Sequence, residues 1–204
     1  MNQSTDPLWL KSEIRPDEEM MRFLAGQDVV LDRELIKHDI QASVAHVNGL
    51  YRIEILSSEE REQLVGCLLE LGGEIACGEY VLAEPFEDSH SAIEAYLVEH
   101  LGDVGKKVHT GRSRNDQVLV ASRLYMKERL NDLAAVCLQV AEATLACANK
   151  HQMLPMPGYT HLQRAVPSSV GLWLGAFAES FADNAQFARS VLRLFVQQAH
   201  FGIR

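Results

Sequence analysis

The chain has 204 residues, enough for one domain or one and a part, and enough to bury a core without disulfides or a structural metal. Hydrophobic residues make up 47% and charged residues 23%, a balance that excludes global disorder. With 28 acidic and 19 basic side chains the net charge is −9, which argues against sequence-independent nucleic-acid binding, because that binding depends on Lys and Arg neutralising phosphates.

The charge is unevenly spread. Residues 1–100 hold 7 basic and 21 acidic side chains, whereas residues 101–204 hold 12 basic and 7 acidic. The second half can therefore attract an anion, or the split is a chance scatter of surface charge. Cys67, Cys77, Cys137 and Cys147 form no C-x-x-C pair, and no His stands at zinc-finger spacing, so no metal site is expected. Cys67 and Cys137 fall in apolar helical runs and read as small buried hydrophobes. Met1 to Leu10 show no basic segment leading into an apolar stretch, so no signal peptide is expected. No uninterrupted run of about 18 apolar residues occurs, so no membrane span is expected and a cytoplasmic location follows as the default.

In chain order, Leu35, Ile36, Ile40, Val44, Val47 and Leu50 recur at helical spacing and predict a helix over 33–51, with Asp32 as its N-cap. A second helix over 58–76 carries Leu64, Cys67, Leu68, Leu71 and Ile75. Its start signal is Ser57 or Ser58 with Glu60 or Glu62, and Gly72-Gly73 weakens its end. A shorter helix over 87–101 runs through Ile93, Leu97 and Leu101. The segment Tyr80–Glu84 is the only strand candidate and is too short to build a sheet. From Asn115 to about Lys150 neither Pro nor Gly occurs, which predicts one helix of roughly 54 Å. Another long helix is expected from Pro167 to Gln198, with Pro in its first turn and with Gly171 and Gly175 allowing close helix approach. These patterns make the fold class all-α: an N-terminal helical domain over 1–110, then the first long helices of a helical bundle over 111–204. Two long helices leave apolar faces uncovered, so more chain or further subunits are expected to complete the bundle.

Three segments concentrate chemistry. In Thr110-Gly111-Arg112-Ser113-Arg114-Asn115-Asp116-Gln117, two arginines and the neutral donors Ser113 and Asn115 precede the long helix. Free N–H groups, the helix dipole and guanidinium forks suit a carboxylate or phosphate. The alternative is a capped helix with exposed arginines. The connection over 151–166 is longer than the usual two to eight or so residues between bundle helices. It holds Tyr159, Thr160, His161, Gln163 and Arg164. A histidine such as His161 suits proton transfer by its residue type, although a lone histidine is often structural. In Glu87-Asp88-Ser89-His90 the acidic pair suits a helix N-terminus, and His90 either lines the same cleft or packs.

The stretches GRSRNDQ (111–117) and PGYTHLQRAVP (157–167), in this order and separated by one long helix, resemble the argininosuccinate lyase family of the fumarase and aspartase superfamily. DRELIKHDIQASVAH (32–46) and the acidic-histidine stretch at 87–90 are also similar to family segments, so the likeness runs from about Leu8 to Phe187. The resemblance implies a mostly helical fold with a central bundle pooled among four subunits. It implies reversible β-elimination of argininosuccinate to arginine and fumarate, without metal or organic cofactor. By motif, His161 is the acid–base histidine. Asn115, Thr160, Arg114, Ser113 and Arg112 are implied in substrate binding, with Gln163 supporting the site and His90 orienting or binding.

Several features depart from the family pattern. Trp9 is followed by Leu10-Lys11-Ser12 rather than Gly-Gly-Arg-Phe, Asp28 stands where a binding Ser is expected, and Val166 replaces a common Gln. The family runs to roughly twice this length and carries a serine loop, Gly-Ser-Ser-x-Met-Pro-x-Lys. The Ser-Ser pairs here, Ser57-Ser58 and Ser168-Ser169, lack the residues that should follow. The chain alone is therefore expected to be inactive, and a non-catalytic oligomerisation or regulatory module is the alternative.

Overall fold

A computed structural model describes residue 23 and residues 26–83 and 86–198. The departure at Trp9–Ser12 and the chain end at His200–Arg204 lie outside the described residues. The chain divides into two compact units, Met1–Tyr125 and Met126–Arg204.

The first unit is helical. Helix α1 spans Asp28–Arg52, α2 Ser58–Cys77, α3 Ser89–Leu101 and the short α4 Asp103–Lys106. A 3-10 turn at Lys107–His109 then leads into α5, Arg114–Lys150. The start of α2 follows the capping logic of its sequence. Ser57 accepts from the Glu60 N–H while the Glu60 carboxylate accepts from the Ser57 N–H, and Gly78 ends the helix in the left-handed region. The glycine pair at 72–73 does not shorten it. The start of α1 differs from expectation, because the helix begins one turn before Asp32, after Gln27. Asp32 caps a different helix: its Oδ2 accepts from the Ser89 N–H at 2.9 Å, at the beginning of α3.

Ile36, Ile40, Val47 and Leu50 of α1, Leu64, Cys67, Leu68 and Leu71 of α2, and Ala92, Ile93, Tyr96 and Leu97 of α3 meet in one core. Each large side chain buried there contributes roughly 1.5–3 kcal/mol. Cys67 behaves as the hydrophobe its sequence position implies, since burial pushes its thiol up to about 11. Gly105 lets α4 press against α3: a Cβ at this position would collide with the backbone of Leu97 and Val98.

In the second unit α5 is followed by a two-stranded antiparallel sheet, β1 (Pro155–Thr160) and β2 (Gln163–Ser169), and by α6, Val170–Gln198. The sheet corrects the expectation that only Tyr80–Glu84 resembled a strand; residues 80–83 are irregular. Pro167 lies in β2, paired with Pro157, and does not open the helix; Ser169 Oγ instead accepts from the Leu172 N–H. Prolines fit here because a two-stranded sheet is all edge. Gly171 lies against the Ala148 carbonyl and Gln152, where a Cβ would not fit, whereas Gly175 has open space around it and no close-approach role.

Both long helices bury small residues. Ala134, Ala141 and Ala148 of α5 fall on every seventh position with Cys137 between, and Ala178, Ala185 and Ala188 of α6 repeat the pattern. The large apolar side chains stay exposed: Leu133, Val136 and Leu145 on α5, and Leu172, Trp173, Phe177 and Phe187 on α6. By length and composition alone α5 also qualifies as a membrane-crossing helix, contrary to the sequence expectation. Its apolar residues are interspersed with small and polar ones, so no uninterrupted run marked it. Core helices of soluble proteins pass the same test, so a single such helix is weak support for a membrane span.

Ser57→Ala removes one half of the capping box. It is expected to lower the unfolding free energy by about 1 kcal/mol in urea denaturation, with the helical circular dichroism of the native state unchanged.

Candidate functional site

In the first unit the candidate residues gather around the inward face of α1. Asp32, Asp39, Ser43 and His46 recur along this helix at intervals that place them near one stripe. Each binds a residue from the start of α3 or from the segment before α5. Asp32 takes the Ser89 N–H, and Asp39 Oδ2 accepts from Ser89 Oγ at 3.2 Å and from His90 Nδ1. Ser43 Oγ accepts from Arg112 Nη1 at 3.2 Å, and His46 Nε2 donates to the Thr110 carbonyl at 3.0 Å. His90 is only 6% exposed and Asp39 is 0% exposed, so this is a buried hydrogen-bonded contact.

Arg112 and Arg114 therefore have different surroundings. Arg112 is turned inward, its second nitrogen donating to the Val108 carbonyl at 3.2 Å. Burial lowers its proton affinity, opposed by the charges of Asp39, Glu94 and Asp116. Arg114 is exposed. Its Nη1 lies 2.8 Å from Asp88 and 3.5 Å from Glu87, and its Nη2 donates to Ser91 Oγ at 3.2 Å. Arg114 thus already holds carboxylates, but in an exposed ion pair worth no more than about 1 kcal/mol, which a ligand can displace. Asp88 has a second task, accepting from the Ser91 N–H as the N-cap of α3.

Ser113 caps α5. Its Oγ accepts from the Asn115 N–H at 3.1 Å, and Asp116 reciprocates by accepting from the Ser113 N–H at 2.9 Å. The Asn115 side chain is exposed beside this helix N-terminus, where N–H groups and the dipole favour an anion. Ser113 is a cap and Arg114 is exposed, as in the capped-helix reading, and Asn115 presents its polar group to solvent.

In the second unit Thr160, His161 and Gln163 lie at the tip of the hairpin. Thr160 pairs with Gln163, and His161 and Leu162 form the two-residue turn between them. Both turn residues are left-handed, with φ of +48° and +62°. This is the geometry that a two-residue hairpin turn requires, normally met by Asn-Gly. For a residue with a Cβ it costs roughly 1–2 kcal/mol. Leu162 is 95% exposed, so no packing of its own side chain offsets that strain. The turn thus presents the His161 side chain to solvent from a strained backbone.

Sequence reasoning missed Asp32, Asp39, Ser43 and His46 as site-building residues. The signal was present: Asp39 and Ser43 interrupt the apolar stripe of Ile36, Ile40, Val47 and Leu50, and a polar residue at a core position calls for a partner.

A family described as lyase matches residues 14–202 of the chain. The argininosuccinate lyase of Stenotrophomonas maltophilia is 52% identical over 184 residues, covering 90% of this chain and 43% of that protein. The argininosuccinate lyase of Xanthomonas oryzae pv. oryzae is 50% identical over 190 residues, 93% of this chain and 44% of that protein. The chain thus spans less than half the length of the curated relatives it matches. Among solved structures, an EDDS lyase variant with bound fumarate is similar at a TM-score of 0.69 and 26% identity, covering 86% of this chain and 35% of that one. EDDS lyase in complex with formate is similar at a TM-score of 0.69 and 25% identity, over 89% and 36%.

Two outcomes follow from the geometry. Burial and the Arg112 charge lower the His46 pKa from its ordinary 6.5, outweighing the Thr110 hydrogen bond. The folded state then binds fewer protons than the unfolded state, so the His46 contribution is present above pH 6.5 and is lost as pH falls through the depressed folded value. His46→Gln keeps an amide donor for Thr110 and removes the titration; its melting temperature is expected to fall less steeply than that of the parent between about pH 7 and 5. Leu162→Gly relieves one left-handed Cβ and is expected to raise stability by about 1 kcal/mol in urea denaturation.

Proposed function

The chain belongs to the lyase family, and we propose on that premise that it is part of an argininosuccinate lyase, acting in arginine biosynthesis by reversible β-elimination of argininosuccinate to arginine and fumarate. Residues 1–110 are the N-terminal lyase domain in this reading, and residues 111–204 are part of the central bundle. The observation that carries it is the presence in one chain of an arginine-rich helix start, Arg112–Asn115, and a histidine held on a strained turn, His161. This reaction needs both parts. A base removes a proton from the carbon beside a carboxylate, and the resulting negative charge is stabilised by guanidinium and N–H donors aimed at that carboxylate. The C–N bond then breaks, and an acid protonates the departing guanidinium nitrogen.

His161 is the acid–base group in this reading. Arg114 and Ser113 are the groups for the succinyl carboxylates, Asn115 and Thr160 each bind substrate, Gln163 supports the hairpin tip, and Arg112 and His90 act from the buried side. The exposed apolar faces of α5 and α6 support assembly, as a homotetramer by resemblance, in the cytoplasm. The serine loop that the resemblance calls for is not in this sequence, so the chain alone is expected to bind without turnover. One observation favours the second reading, a non-catalytic module: Arg114 is already occupied by Asp88 and Glu87.

The test combines ultraviolet detection of fumarate release with thermal shift. The chain alone is expected to release no fumarate from argininosuccinate. Fumarate at about a hundred times its Kd is expected to stabilise the fold by about 2.7 kcal/mol, raising the melting temperature by several degrees. Arg114→Ala should abolish the shift. Clear turnover by the chain alone would sink the inactive assignment, and the absence of any shift would leave the module reading.

A further inference from the structure

A carboxylate with 0% exposure inside a hydrophobic core costs stability unless it is paired and hydrogen-bonded. Asp39 is only half satisfied. Its Oδ2 accepts from both Ser89 Oγ and His90 Nδ1, while its Oδ1 has no hydrogen-bond partner among the described residues. Arg112 mirrors this: two guanidinium nitrogens are used on Ser43 and Val108, and its buried Nε has no partner among the described residues. Ser43 sits one helical turn beyond Asp39 on the same face of α1, and the Asp39 charge acts directly on Arg112. An ionised carboxylate accepts only, so its contact with His90 requires a proton on the Nδ1 nitrogen. The other ring nitrogen, Nε2, is then the acceptor of the ring.

We propose that Asp39 is a positioning residue for the anion site. Its carboxylate sets the tautomer and orientation of the His90 ring. Ser43, one turn further along the same face of α1, takes the Arg112 guanidinium inward, while Arg114 and Asn115 lie exposed at the start of α5. The role of the anion site in binding a dicarboxylate rests on the lyase reading; the control of the His90 ring by Asp39 does not.

The experiment uses the full 204-residue chain. Imidazole nitrogen shifts of His90 are recorded by NMR in the parent and in Asp39→Asn and Asp39→Ala. Fumarate affinity is measured by calorimetry well below each variant's melting temperature. Leu64→Ala, a core substitution away from this network, serves as a control for destabilisation alone. The parent is expected to carry its proton on His90 Nδ1, and Asp39→Ala is expected to change that nitrogen's shift. Asp39→Ala should also weaken fumarate binding by about tenfold, the size of one lost charge-assisted hydrogen bond. Asp39→Asn, which keeps an acceptor, should recover part of the loss, and Leu64→Ala should bind as the parent does. An unprotonated Nδ1 in the parent overturns the proposal, as does unchanged affinity in folded Asp39→Ala. If the parent binds no fumarate, the lyase reading fails for this chain, and the ring-nitrogen shifts alone decide the role of Asp39. If Asp39→Ala does not fold, the parent tautomer and the Asp39→Asn affinity decide it.

Discussion

One face of α1 has to serve two purposes that normally exclude each other. Ile36, Ile40, Val47 and Leu50 pack into the core shared with α2 and α3, yet the same inward side carries Asp39 and Ser43, both fully buried. Polar groups survive there only because each meets a partner arriving from elsewhere in the chain. Asp39 meets Ser89 and His90, Ser43 meets Arg112, and at the margins Asp32 and His46 meet Ser89 and Thr110. Those partners come from two places: the first turn of α3 and the residues just ahead of α5. Satisfying the buried polar stripe thus fixes where α3 begins and how the chain approaches α5. With Arg112 committed inward, the next arginine, Arg114, falls outside, against the acidic residues that open α3.

The second unit solves a different problem. Its long helices use alanine and cysteine for their buried positions and leave Leu172, Trp173, Phe177 and Phe187 to solvent. Helices built this way leave their largest apolar groups uncovered. The hairpin between the helices bears strain instead. His161 and Leu162 adopt left-handed backbone that glycine or asparagine would take at little cost, and the side chain of Leu162 gains nothing from it.

Much of the helical plan is legible in the amino-acid sequence. The boundaries of α2 and α5 and the burial of Cys67 and Cys137 follow from apolar spacing, capping residues and the absence of breakers, all of which act within a few residues. The two motif segments that carry the family likeness are legible for a similar reason, being contiguous. The hairpin is not, because its turn lacks the Asn-Gly signal and its prolines read as loop punctuation. Pro167 misleads in the same way: a proline ahead of an apolar run marks a helix start in most contexts, and here it is an edge-strand residue.

The polar network escapes sequence reading for a deeper reason. Asp32 reads as the cap of its own helix and instead caps α3, 57 residues away in the chain. Asp39 and Ser43 are visible only as interruptions in an apolar stripe. Along the chain, helix formation is a matter of local backbone and side-chain preference, and those preferences are written in each short segment. Which buried polar atom meets which is settled only when distant segments close around it, because the cost of leaving a charge unpaired is felt only once water has gone. The residues that define the helices can therefore be named from the sequence, while those that aim His90 and Arg112 emerge only from the folded core.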